Sequence, residues 1–99
     1  MSDRKFGPIT RELIAAKKRI ENEDDWCRGS YHRDGALCAA AALGYPFKTG
    51  EALHALIAAA QELEPDAGLP VLYINDTLGH AAVMQMYDHA IARAIKEGK

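Results

Sequence analysis

Apolar side chains recur at helical spacing in four parts of this 99-residue chain, and this repeat limits the possible folds more than any other feature. The repeat is most regular in residues 53–63, where apolar residues stand at i, i+3, i+4, i+7 and i+10. The members of this series are Leu53, Leu56, Ile57, Ala60 and Leu63. The pattern predicts an amphipathic helix that ends before Pro65 and packs its apolar side against another element.

Three further helices are predicted from the same kind of pattern. The first covers about residues 8–20, with Pro8 in its first turn and an apolar side formed by Ile9, Leu13, Ala16 and Ile20. The second is short and alanine-rich, from Ala36 to about Leu43, and Gly44 follows it in the position of a left-handed cap. The last begins at about Thr77, and its apolar side contains Val83, Met86, Tyr87, Ala90 and Ala94.

Polar residues precede two of these helices at positions where their side chains can accept backbone N–H hydrogen bonds. Thr49 is the expected N-cap of the third helix, and the pair Asn75 and Asp76 is the expected cap of the last one. Between these helices the apolar run 71–74 is too short to form a sheet alone. We expect it to be a buried extended or single-turn connector.

These elements predict an all-α fold in one small domain covering residues 1–99. The domain has about four helices, the second one short, and the short connections favour antiparallel neighbours. A chain of this length buries roughly 60–68% of the surface of its unfolded state, so it needs neither a metal nor a disulfide to fold. Residues 1–7 are expected to be flexible and residues 97–99 to be frayed.

Composition excludes several classes of function. Hydrophobic residues make up 48% and charged residues 26% of the chain, and the net charge of −2 lacks the basic excess that nucleic-acid binding requires. No apolar stretch approaches the roughly 20 residues of a membrane span, and the N-terminus does not read as a secretion signal. With only two cysteines, we expect a cytoplasmic protein with free thiols, no nucleic-acid partner and no membrane contact.

Chemically active side chains concentrate between Trp26 and Cys38, where no helix or strand period explains them. We expect this segment to be an ordered loop rich in Trp, Arg and Asp. Together with the turn at residues 75–80, it supplies one set of candidate residues for binding or for a structural clasp. That set contains Trp26, Arg28, Tyr31, His32, Arg33, Asp34, Asn75, Asp76 and His80.

Two interpretations of this set remain open. In the first, Arg28 or Arg33 bonds to an acidic partner, Asp34 or Asp76, and Trp26 covers the end of the helical core, so the loop is an internal clasp. In the second, the loop is an exposed surface for a protein partner, because Trp, Tyr and Arg are the residues enriched at binding hot spots. The clasp is the preferred interpretation, and the two are compatible.

Metal binding and cysteine catalysis are weaker alternatives. A zinc site would use Cys27, His32, Asp34, Cys38 and His80, but Cys27 and Cys38 are too far apart for a typical paired-ligand motif. A cysteine nucleophile would need a neighbouring imidazole, and the sequence places none beside either thiol. We therefore predict no cofactor, no metal ligands and no catalytic residues, and treat buried structural thiols as the default.

The motifs Trp26-Cys27-x-Gly29-x-Tyr31-x-Arg33-Asp34, Cys38-Ala39 and Asn75-Asp76 resemble those of a family of small bacterial and phage proteins classed as a domain of unknown function. In that family the pattern is similar to WC-x-G-x-x-x-RD, then WCA-x-GAL, then ND before a final helix. Here Leu37 replaces a Trp that often precedes the second Cys, and Ala41 replaces a Gly. The resemblance implies a small helical domain and brings no established activity.

From these observations we expect a small cytoplasmic protein-interaction or accessory protein. One interpretation of the family resemblance is that the protein derives from a phage or mobile element. Its contact surface would centre on residues 26–34 and 75–80. A small-ligand or metal-binding protein that uses loop 26–38 and turn 75–80 is the first alternative, and a cysteine-dependent enzyme is the second. A protein partner is expected, and a homo-oligomer is compatible with the sequence.

Overall fold

Four α-helices form about half of the structure, which is a computed structural model that describes residues 6–99. They are α1 (Pro8–Arg19), α2 (Glu51–Leu63), α3 (Pro70–Tyr73) and α4 (His80–Glu97). Two short strands, β1 (His32–Arg33) and β2 (Ala36–Leu37), lie between α1 and α2. Short 3-10 turns cover Glu23–Asp25 and Ala41–Leu43, and a π-helical turn covers Ile74–Leu78.

The core lies where α1 and α2 both pack against α4. Helices α1, α2 and α4 bury most of the apolar side that the sequence period predicts, although Leu63 at the end of α2 is 40% exposed. The largest fully buried residues include Leu13 of α1, Leu56 of α2 and Tyr87 of α4. Burying one such side chain contributes roughly 1.5–3 kcal/mol, so these contacts supply most of the stability of the helices. No helix among residues 6–99 is both long and apolar enough to cross a membrane.

The two ends of the described chain meet at the start of α1. Gly7 is the N-cap and has no side chain to accept hydrogen bonds, while Pro8 occupies the first turn as predicted. The carbonyl of Lys99 accepts from the amides of Ile9 (2.8 Å) and Thr10 (3.3 Å), and the Lys99 amide donates to Ala94 O (2.9 Å). Residues 1–5 of the expected flexible N-terminus lie outside the described residues. The expected fraying of residues 97–99 stays a prediction.

The all-α prediction is wrong in one segment, because the predicted helix over residues 36–43 does not form. Instead β2 pairs antiparallel with β1, in the register His32–Leu37 and Arg33–Ala36. Asp34 and Gly35 join the strands with φ of 51° and 86°, the positive values that a type I′ hairpin turn requires. An Asp-Gly pair between short strands is a strong hairpin signal, and it outweighs the helix propensity of the alanines. The fold is therefore mostly helical with a small two-stranded sheet.

Both predicted side-chain caps are also wrong. The N-cap of α2 is Gly50 rather than Thr49, and it makes no side-chain hydrogen bond. Helix α4 begins at His80 after Gly79, so Asn75 lies inside the π-helical turn. The single-turn interpretation of the apolar connector is confirmed by α3.

The left-handed residue predicted after the alanine-rich segment is confirmed. Gly44 has φ 95° and ψ 0°, and its amide donates to Ala41 O at 2.8 Å. A Cβ added to Gly44 would lie 3.0 Å from the Cβ of Lys48. This position therefore requires glycine both for its backbone angles and for space.

We expect Gly44→Ala to lower the free energy of unfolding by about 1–2 kcal/mol, because an L-residue is strained at this φ. Gly68→Ala is the matched control, since Gly68 has no positive φ and no atom within 4 Å of an added Cβ. The control should change stability by no more than about 0.5–1 kcal/mol. Urea unfolding of both variants measures the difference, and equal stability would contradict the assignment of strain.

Candidate functional site

The side chain of Asn75 joins two segments that are far apart in sequence. Its Oδ1 accepts hydrogen bonds from Trp26 Nε1 (2.6 Å) and from the Ala39 amide (2.9 Å). Its Nδ2 donates to Cys27 O (3.1 Å) and to Asp76 Oδ1 (2.8 Å). Asn75 is 1% exposed, and an amide can make four such bonds, so its hydrogen-bonding capacity is used completely.

Asp76 extends this connection to the surface. Its Oδ1 accepts a hydrogen bond from the Gly29 amide at 2.9 Å, across 47 residues of sequence. Gly29 has φ 78°, which turns the backbone of the loop toward this carboxylate. The carboxylate therefore fixes the position of the loop that precedes β1.

Trp26 packs inward over the end of the helical core. Its ring centroid lies 5.4 Å from that of His80, and the guanidinium carbon of Arg28 lies 5.4 Å from the centroid of the Trp26 ring. His80 Nε2 is 2.8 Å from the carbonyl of Ile20, and since a carbonyl only accepts, this nitrogen carries the proton. Five of the nine candidate residues therefore lie together: Trp26, Arg28, Asn75, Asp76 and His80.

The backbone of residue 39 is held on both sides by side chains. Its amide donates to Asn75, and its carbonyl accepts from the hydroxyl of Tyr87 at 2.6 Å. Burial raises the pKa of the Tyr87 hydroxyl well above its ordinary value, so it stays a neutral donor. The segment after β2 is thereby fixed to α4 and to the π-helical turn together.

The predicted arginine clasp does not form among residues 6–99. Neither Arg28 nor Arg33 bonds to Asp34, Asn75 or Asp76; Arg33 Nη2 instead donates to Ser30 Oγ at 3.3 Å. The two segments do meet, but through a neutral amide and an indole. The physical reason is that both arginines and both aspartates are exposed, where an ion pair contributes little, whereas the buried amide of Asn75 makes four hydrogen bonds.

The remaining candidates lie on the outer surface of the hairpin. His32 and Asp34 are exposed, and Tyr31 is 39% exposed. The Tyr31 ring makes an edge-to-face contact with Tyr45 at 5.3 Å between centroids. The hairpin therefore has an inner side that is structural and an outer side that is accessible.

Both thiols are buried, and neither is paired with a base. The thiol of Cys27 is 3.3 Å from Ser30 O, and Cys38 Sγ accepts from the Ala41 amide at 3.4 Å. Burial raises the pKa of both thiols, and for Cys27 the neighbouring Cys38 and Asp76 raise it further while Arg33 lowers it. A raised pKa keeps the thiol protonated and weakens it as a nucleophile.

The arrangement of the described residues does not favour the metal-binding alternative. Among residues 6–99 there is no group of three or more His, Cys, Asp or Glu side chains placed to hold a metal ion. The imidazole of His80 is committed to Trp26 and Ile20 rather than to either thiol. The polar groups of this region therefore bond chiefly to one another.

The structure contains an apolar groove that the sequence did not indicate, and we name it the Tyr31 groove. It has a volume of about 350 Å³ and lies between the hairpin, α2 and the segment that leads into α3. The side chains used below are Tyr31, Tyr45, Leu53, Ile57, Leu69 and Leu72. Leu69 is 69% exposed at its rim. The sequence signal for this groove is Leu69, a large apolar residue inside the turn at residues 66–70.

A model of a family of unknown function, DUF6197, matches residues 7–93. The chain belongs to this family. No curated protein and no solved structure matches the chain. The matched range includes the Asn75 hydrogen bonds, the hairpin and the Tyr31 groove, so these features lie within the DUF6197 domain. The family description names no activity, and the function has to be argued from the site.

We expect Asn75→Ala to lower the free energy of unfolding by about 3–5 kcal/mol, because it leaves the buried Trp26 Nε1, Ala39 amide and Cys27 carbonyl without a partner. Asn22→Ala is the matched control, since Asn22 makes one hydrogen bond, to the Asp24 amide, in an exposed turn. The control should cost about 1 kcal/mol or less. Chemical denaturation of both variants tests this, and similar losses would show that Asn75 has no special role.

We expect both cysteines to react slowly with a thiol reagent in the native state at pH 7. Burial and raised pKa values leave little accessible thiolate, so labelling should require local opening and be at least about 100-fold slower than in urea-unfolded protein. Time-resolved labelling followed by mass spectrometry measures both rates. A native rate close to that of the unfolded chain at either cysteine would favour the cysteine-enzyme alternative.

Proposed function

We propose that this protein is a non-enzymatic interaction or accessory protein that binds a protein partner through the Tyr31 groove and the outer side of the hairpin. The observation that carries the proposal is the contrast between the buried and the accessible side chains of this region. Trp26 and Asn75 point inward with their hydrogen bonds satisfied, whereas Tyr31 points outward at the rim of an apolar groove.

The residue types at this surface support binding. Tyr and Arg are enriched at hot spots, and Tyr31 is flanked by Arg28 and Arg33, which have no carboxylate partner within 4 Å among the described residues. The exposed Leu69 contributes apolar surface beside them. An apolar groove with aromatic and aliphatic side chains exposed at its edge is a common arrangement of a protein-binding site.

The contact surface differs from the one expected from the sequence. That expectation centred on residues 26–34 and 75–80, but the buried parts of both segments are not available to a partner. The proposed surface keeps Tyr31 and the neighbouring arginines and adds Tyr45, Leu69 and Leu72. The turn at residues 75–80 acts as its support.

The alternatives receive less support from the geometry. The buried thiols of raised pKa do not favour a cysteine enzyme, and the amide of Asn75 has no free capacity for a ligand. Two free cysteines are typical of a reducing compartment, which supports the proposed cytoplasmic location. The bacterial or phage origin expected from the resemblance stays a prediction.

The proposal is tested by capturing proteins from a lysate of the source cells on the immobilised chain. Leu69→Asp should reduce the recovery of specific partners at least about 10-fold, because it places a charge at the groove rim. Ile95→Asp is the matched control, since Ile95 is 42% exposed on α4 and does not line the groove. Equal recovery by the wild type and both variants, measured by quantitative mass spectrometry, would reject this surface.

A further inference from the structure

Phe47 is the most exposed large apolar side chain of the described residues, at 90%. Its turn is held firmly, because the amides of Phe47 and Lys48 both donate to Gly44 O at 2.9 Å. Lys48 also forms an ion pair with Glu12 of α1 at 2.8 Å. The ring is therefore presented outward by a fixed backbone and is not simply part of a loose loop.

The Tyr31 groove lies next to this protruding ring. Tyr45, two residues before Phe47, is part of the groove wall and contacts Tyr31. A volume of about 350 Å³ is at the lower end of the range that encloses small ligands, which is ample for one phenyl ring. Because two residues span at most about 7 Å of chain, this apolar projection lies close to the apolar groove.

The exposed apolar area on this face is close to what a stable dimer needs. At about 200 Å² for a large side chain, the exposed fractions of Phe47, Leu69 and Tyr31 give on the order of 400 Å² of apolar surface. A standard interface buries about 800 Å² of each partner, of which somewhat more than half is apolar. The three side chains alone approach that apolar share.

We propose that the occupant of the Tyr31 groove is Phe47 of a second copy of this chain. In a two-fold symmetric dimer each copy supplies one projection and one groove, so the same contact forms twice. A net charge of −2 per chain opposes such an association only weakly. The inference rests on the proposed function, because it names the partner that fills the proposed binding surface.

The first test is the mass of the purified chain in solution. Sedimentation equilibrium over about 1–200 µM should give twice the chain mass of 10.8 kDa at the upper concentrations, with a dissociation constant in the micromolar range. Phe47→Asp and Leu69→Asp should each weaken the dimer at least about 30-fold. Ile95→Asp should leave it unchanged, and circular dichroism should show that all three variants fold, since each residue is exposed.

The second test mixes the two defective variants. Phe47→Asp keeps an intact groove and Leu69→Asp keeps an intact Phe47, so a mixed dimer recovers one of the two contacts. The mixture, with one variant fluorescently labelled, should associate more tightly than either variant alone and more weakly than the wild type. A general loss of apolar surface predicts no such recovery, and its absence would overturn the inference.

Two other outcomes also reject the dimer. A wild-type chain that stays monomeric at about 200 µM, or a dimer that persists in both variants, means that Phe47 does not fill the groove. These failures are distinct from a failure of the proposed function. If Leu69→Asp still loses partners from the lysate while the wild type is monomeric, the groove binds a different protein.

Discussion

The amide of Asn75 is the point on which the arrangement of the non-helical part of the chain depends. The hairpin segment has few large apolar side chains of its own, so hydrogen bonds have to fix its position. Four bonds from one buried side chain hold the Trp26 indole, two backbone groups of residues 27 and 39, and the carboxylate of Asp76. Since the indole and the two backbone groups would otherwise be unsatisfied buried groups, the arrangement is specific as well as stabilising.

The proposed binding face is a consequence of that fixation. With Trp26 turned inward and Gly29 held by Asp76, the outer side of the hairpin places Tyr31 against Tyr45. This contact forms one wall of the Tyr31 groove, while α2 and the segment before α3 form the others. The structural and the accessible side chains of the loop are therefore two sides of the same element, which explains why a clasp and a contact surface could both be inferred from its composition.

Sequence reasoning succeeded where a regular period was present and failed where tertiary partners decide. The apolar periods correctly predict α1, α2 and the central part of α4, because the spacing of apolar residues along an amphipathic helix indicates which side is buried. The predicted helix over residues 36–43 is wrong because the Asp34-Gly35 turn pairs residues 36–37 with residues 32–33, against the helix propensity of the alanines. The sequence predicts Asn75 as a helix cap, since nothing local shows that three of its four hydrogen-bond partners lie 36 to 49 residues away.

The amino-acid sequence alone predicts a single small all-α domain, with the loop 26–38 and the Asn-Asp pair as its unusual points, and the short hairpin corrects this fold class to mostly helical. These conclusions follow from the spacing and the chemistry of residues that are close in the chain, and both can be read from the sequence without the fold. The packed structure shows that a neutral amide rather than an arginine joins the two points, and that Tyr31 and Leu69 line one groove. Burial and proximity are properties of the packed chain, because they depend on residues that are distant in sequence and brought together by folding.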